Sequence, residues 1–392
     1  MRFGCIDRWK RQELSPSQGW KLLAFPVFFL FLLFASGCEK DETLKEEEKG
    51  TAFDRKGMLK NYGENLIIPG YEDLHASISS MESAATTFVN NPSSAALQTL
   101  QDRFLDSYKA WQRVSIYEFG PAKDIALRSF TNTFPTDTTQ VNDNIATGNY
   151  DLSNFNTDDV KGYPALDYLL FDPFDGDSAV VNAFSIDSNA AARQDYLMDV
   201  IADLKGNVSN VLQSWKPSGG DHLSTFVNAT GTDVGSSLGL LVNQLNYDLE
   251  IIKNAEVGIP LGKKSLGNPK PLKCQAYYAR FSVELLELHL KALRDTYLGK
   301  GTQGDKKGLD DNLEHIDAQS SNGPLDDAIR DQFATCIDKA QQVPEPLSDA
   351  VVNDPTPVDD LHTELKKLVA LLKSDMPSEL GVQITYQDND GD

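Results

Sequence analysis

Apolar residues return at every third or fourth position through most of the chain, and that spacing fits one regular structure, the amphipathic α-helix. Leu74, Ile78, Met81, Ala85 and Phe88 form one stripe, and Leu97, Leu100, Phe104, Tyr108 and Trp111 form the next. The breaker NNPSS between them predicts an antiparallel helix pair. Three further stripes are Tyr196, Val200, Leu204, Val208 and Leu212; Leu238, Leu241, Leu245, Leu249 and Ile252; and Tyr278, Phe281, Leu285 and Leu288. Shorter helices fit 325–340 and 358–373, and the one strand signal is the tail GVQITY. Residues 131–159, rich in Asn, Thr, Asp and Gly, read as a long loop. The expected fold class is all-α. SWKPSGGDH, at 214–222, has the composition of a linker and divides the chain into helical domains at 61–215 and 216–392. One core would struggle to serve both, since single cores stop growing at roughly 250–300 residues.

The N-terminus reads as an export signal. Arg2, Arg8, Lys10, Arg11 and Lys21 precede an apolar run of 14 residues, Leu22 to Ala35. That length suits a signal-peptide core and falls short of the roughly 20 residues a membrane-spanning helix needs. The run ends in ASGC, which resembles the lipobox of bacterial lipoproteins, so residues 1–37 are expected to be removed and Cys38 to carry lipid. An acylated Cys38 would tie the protein to outer-membrane lipid, on the periplasmic or the surface side. The following EKDETLKEEEKG cannot bury enough apolar surface to fold, and 38–60 is expected to be a flexible acidic tether. Within it, KDE at 40–42 resembles the signal that sends Bacteroidetes lipoproteins to the outer face of the outer membrane.

Loss of residues 1–37 takes away five basic and two acidic residues and moves the formal charge from −22 to −25. Such a balance excludes nucleic acid as a partner. Two cysteines remain beyond Cys38, namely Cys274 and Cys336, and in an oxidising compartment they either pair or stay as two buried thiols. HExxH, GxSxG and a phosphate-binding loop are all missing. His75, His289 and His362 each stand alone in helical stretches, where surface or satisfied core positions are the rule. DPFDGD, at 172–177, is explained by a turn. DNDGD, at 388–392, opens like a calcium loop but lacks the closing glutamate, which leaves weak calcium binding at most.

Three stretches, WQRVSIYEFGPA (111–122), LRSFTNTFPTD (127–137) and GYPALDYLLF (162–171), follow one another as in the imelysin-like family of exported bacterial proteins, once classed as peptidases of the M75 type. CQAYYARFS (274–282) and the ending LGVQITYQDNDGD resemble its Bacteroidetes branch. The resemblance implies two four-helix-bundle-like domains related by internal duplication, a site where they meet, and an association with iron uptake. The family motif is Gly-x-His-x-x-Glu. Here Gly162 matches the glycine, Pro164 stands in place of the histidine and Asp167 in place of the glutamate.

A neutral imidazole and a carboxylate three residues apart on a helix can grip one metal ion together, whereas proline has no ligand atom. Pro164 suits the first position of a helix that continues through Ala165 to Phe171, and Asp167 in its first turn would meet the positive end of the helix dipole. Gln275 also stands where relatives often carry a glutamate. The expectation is therefore a polar or aromatic binding cleft formed by Gly162, Tyr163, Pro164, Asp167, Gln275, Tyr278 and Ser282, supported by Trp111 and Arg128. No catalytic residue and no tightly held cofactor is expected, only weak calcium or iron binding. The function expected is a lipid-anchored, non-enzymatic binding component of iron or haem uptake, with a TonB-dependent receptor or an iron permease as partner. Its alternatives are a metallopeptidase-class enzyme and a structural or adhesion module.

Overall fold

The computed structural model describes residues 52–321 and 323–385. Residues 1–37, Cys38, the KDE stretch and the DNDGD tail lie outside the described residues. Where a short polar side chain precedes an apolar stripe, a helix begins and that side chain takes up an otherwise unpaired N–H. Ser93 accepts from the Ala96 N–H ahead of helix Ser94–Gln112, and Ser236 accepts from the Gly239 N–H ahead of helix Ser237–Ile251. Helix Ile68–Asn90 packs along both Ser94–Gln112 and Ala190–Trp215. In the second half, helix Leu325–Gln341 packs against Ser282–Tyr297 and Thr356–Ala370. The halves touch where Ser94–Gln112 meets Ser282–Tyr297. The protein is all-α, and its only paired strands among the described residues are the two-residue ribbon Gln319–Ser320 and Gly323–Pro324. No helix of the described residues is long and apolar enough to cross a membrane. Cys274 and Cys336 are free and buried, and burial pushes both thiols up to about 12.

Several sequence expectations need correction. Helix Arg55–Asn61 lies inside the expected tether, with Met58 and Leu59 fully buried. The expected loop 131–159 contains helix Thr138–Thr147, capped by Asp137 at its start and by the left-handed Gly148 at its end. Its polar composition hides a two-residue apolar face, Val141 and Ile145. Tyr278 and Phe281 precede the helix that begins at Ser282, whose buried face carries Leu286, His289 and Leu293 rather than Leu288. Residues 382–385 form no strand. There the side chain of Asn243 donates to the Gln383 carbonyl (3.0 Å) and accepts from the Thr385 N–H (2.8 Å), pairing that a neighbouring strand would otherwise supply.

Pro69, Pro260 and Pro377 stand inside long helical runs without breaking them. Each follows a π-helical turn, Tyr62–Ile67, Ile252–Gly258 or Leu371–Asp375. Ile68, Ile259 and Met376 donate five residues back, to Gly63, Asn254 and Leu371, so the helical run continues past the missing proline N–H.

Candidate functional site

GYPALDYLL forms helix Gly162–Leu170, which starts two residues before Pro164. Pro164 still falls in the first turn, where its missing N–H has no helical acceptor to lose. Gly162 has φ +67°, and a Cβ there would lie 2.3 Å from the Thr131 carbonyl oxygen, so only glycine fits. Tyr163 stacks on Tyr108 at 4.3 Å between ring centres and donates to the Ser107 carbonyl (3.0 Å).

Asp167 sits mid-helix, not at the positive end of the dipole as the sequence led us to expect. Its carboxylate reaches into the second half of the chain and accepts the backbone N–H of Tyr278 (2.9 Å) and of Ala279 (2.7 Å), one on each oxygen. Burial pushes its pKa up to about 7, with the two N–H donors pulling the other way. The group is a clamp between GYPALD and CQAYYARFS.

Around this clamp lies a pocket of about 250 Å³ lined by Thr136, Thr138, Pro164, Asp167, Tyr277 and Tyr278 among others. Three expected site residues, Pro164, Asp167 and Tyr278, line it; the rest stand behind it or elsewhere. Ser282 Oγ donates to the Gln275 carbonyl (2.6 Å), which ties the turn before the helix to the helix itself. The Gln275 carboxamide is buried, and its Nε2 makes no well-formed hydrogen bond. Trp111 is a core residue.

Arg128 belongs to a different centre. Its guanidinium donates to Asp248 and to the Ser115 carbonyl, and its backbone N–H donates to Glu118 (3.2 Å). Asp248 also bonds His289 Nε2 (2.7 Å), and Glu256, within the π-helical turn, bonds His289 Nδ1 (2.9 Å). Ser115 Oγ is 3.0 Å from His289 Nε2. A serine, a histidine and a carboxylate in line would pass for a hydrolase triad, but the charges argue otherwise. Burial disfavours the imidazolium, yet Glu256 and Asp248 outweigh it and raise His289 to about 10. Burial likewise opposes the charge on Asp248, while Arg128 and His289 hold its carboxyl below the ordinary range. A histidine protonated on both nitrogens has no lone pair to take the serine proton or bind a metal. The cluster is an ionic lock that joins Ser115 and Arg128 of the first half to Asp248, Glu256 and His289 of the second. No group of three or more His, Cys, Asp or Glu among the described residues is arranged to hold a metal ion.

Sequence reasoning passed over Asp248 and Glu256, and it read His289 as a surface or satisfied core residue without finding its partners. The signal was available: Asp248 lies three residues after Leu245, Glu256 four after Ile252 and His289 four after Leu285, so each puts a polar group on an apolar helix face.

The family model described as imelysin, Peptidase_M75, matches residues 67–374. The chain is 20% identical over 297 residues to the iron-regulated protein A of Synechococcus elongatus, covering 74% of this chain and 76% of that protein. A solved structure from Parabacteroides distasonis ATCC 8503, described as that of an iron-regulated protein A precursor, superimposes with a TM-score of 0.70 at 16% identity and covers 86% of this chain and 97% of its own. An imelysin-like protein from Psychrobacter arcticum 273-4 gives 0.63 at 18% identity, covering 85% and 97%. At these identities the structural likeness speaks for the fold.

Proposed function

Because the chain belongs to the imelysin family, we propose that it is a lipid-anchored, non-enzymatic binding component of the cell envelope that serves iron acquisition. Two relatives carry iron regulation in their names, and one is described as a precursor, which supports an exported protein with an iron-linked role. The observation that carries the non-enzymatic reading is the clamp at Asp167. Each carboxylate oxygen accepts a backbone N–H, from Tyr278 or Ala279, which gives the group a structural role, and the neighbouring Pro164 has no side-chain ligand atom. What that position offers instead is a small pocket with hydroxyl groups and aromatic walls. Cys38 would hold this pocket at the membrane, within reach of a receptor or permease.

Growth under iron limitation tests the proposal. A deletion strain is expected to grow slowly and hold less cell iron, with rescue by wild type. Cys38→Ala, which removes the anchor, and Thr138→Trp, which fills the pocket, are expected to fail while accumulating as folded protein. Unchanged growth and iron content in the deletion strain would remove the iron-linked role. Full rescue by Thr138→Trp would remove the pocket from the account.

A further inference from the structure

A separate cleft of about 550 Å³ lies between the start of the first long helix, helix Ser282–Tyr297 and the loop at 300–302. From its lining we propose a second ligand site, for a small organic carboxylate with an apolar body. The whole chain carries a formal charge of −22, a field that repels anions. This cleft inverts it, because Arg113, Lys291, Arg294 and Lys300 line it against two carboxylates, Asp73 and Asp295.

Three of the four cations are already paired. Arg113 bonds Asp73 (3.0 Å), Lys291 bonds Glu287 (2.5 Å) and Arg294 bonds its neighbour Asp295 (2.7 Å). Lys300 is exposed at the mouth and has no side-chain partner among the described residues. An incoming carboxylate finds a free ammonium there and three more cations within the same cleft. The floor is of another kind: Leu66, Pro69, Leu288 and Ala292 are apolar, and the hydroxyls of Tyr117 and Thr296 bond each other at 3.1 Å. A cleft of a few hundred Å³ with an apolar floor and a charged mouth matches the form of small-molecule sites.

The loop that carries Lys300 is fixed from beneath. Pro69 has no N–H, so the Asn65 carbonyl four residues earlier lacks its helical donor, and it accepts instead from the Thr302 N–H (3.1 Å). Asn65 Nδ2 donates to the Gly304 carbonyl (3.1 Å), and Asn61 Nδ2 donates to the carbonyls of Gly299 (2.7 Å) and Lys307 (3.0 Å). Two buried asparagines, Asn61 at the end of helix Arg55–Asn61 and Asn65 in the π-helical turn after it, therefore pre-organise a loop of the second half, which lowers the ordering cost of binding.

An amphipathic anionic dye, 8-anilinonaphthalene-1-sulfonate, serves as probe, titrated into the folded protein by fluorescence. We expect saturable binding at one site, and a rise in Kd of about tenfold or more in Lys291→Glu/Lys300→Glu, the scale expected for loss of charge-assisted contacts. Lys339→Glu, a remote surface change, should leave it unaltered, as should addition of millimolar inorganic phosphate. Equal affinity in the double variant and wild type, or absence of saturable binding, overturns the site. Displacement of the dye by phosphate overturns the organic class of ligand.

Discussion

His289 shows how one residue can carry a bond between two halves of a chain. Its imidazolium bridges Asp248 and Glu256 in a place without solvent, and with the Arg128 guanidinium on Asp248 it balances the two carboxylates. Removing it takes away the cation that contacts the buried Glu256, and breaking a buried pair in this way costs roughly 3–5 kcal/mol. We therefore expect His289→Gln to lower the unfolding free energy by about that amount at pH 6, read by chemical denaturation. The pH dependence has a definite sign. The folded pKa of about 10 lies above the ordinary histidine value, so the stabilisation is complete below about pH 6.5. It is lost as pH rises through 10. The gap between wild type and variant should shrink over that window, and a gap that widens would contradict the ionic lock. Asp167 teaches the converse lesson about legibility. The family resemblance drew attention to its position, but its hydrogen bonding depends on two backbone N–H groups about 110 positions away, at Tyr278 and Ala279. Nothing local in GYPALD announces such a partner, and the helix-dipole reading followed from local reasoning alone.

At the level of elements, the long stripes were legible because burial on one face forces the same spacing into sequence and structure. Helix Thr138–Thr147 was not, since only Val141 and Ile145 reach the core and the capping residues Asp137 and Gly148 were the remaining signal. The π-helical turns were also invisible: a proline in a helical stripe reads as a break, and the bulge that rescues it depends on where the freed carbonyl finds a donor. For Pro69 that donor is in the 299–308 loop, and the fit is tight enough to test. A Cβ on Gly301 would lie 2.2 Å from the Asn65 carbonyl oxygen, against backbone that is held on both sides. Gly301→Ala is expected to destabilise the protein by roughly 1–3 kcal/mol, the usual range for overpacking. Thermal denaturation should show a lowered midpoint, and hydrogen exchange should show loss of protection at Thr302. Wild-type protection in the variant would mean that the loop is not seated on the π-helical turn.

Across the whole molecule, one apolar core spans both halves, and polar contacts add to it: the clamp at Asp167, the lock at His289, the asparagine clasp at 61 and 65, and the ion pair Lys109–Glu284 (2.6 Å). Overall charge was plain from composition, because it does not depend on tertiary partners. The geometry between the halves was not, because every contact that sets it runs between residues far apart in sequence. The proposed function turns on one of these contacts, the clamp at Asp167, which stands where the family resemblance implies a metal-binding glutamate. Metal analysis of the purified protein after dialysis against a mild chelator tests this directly, with Asp167→Asn and Pro164→His/Asp167→Glu alongside. Wild type and Asp167→Asn are expected to retain no stoichiometric iron or zinc, and the double variant to gain affinity that wild type lacks. One equivalent of iron or zinc held by wild type and lost in Asp167→Asn would contradict the clamp and restore a metal centre to this position.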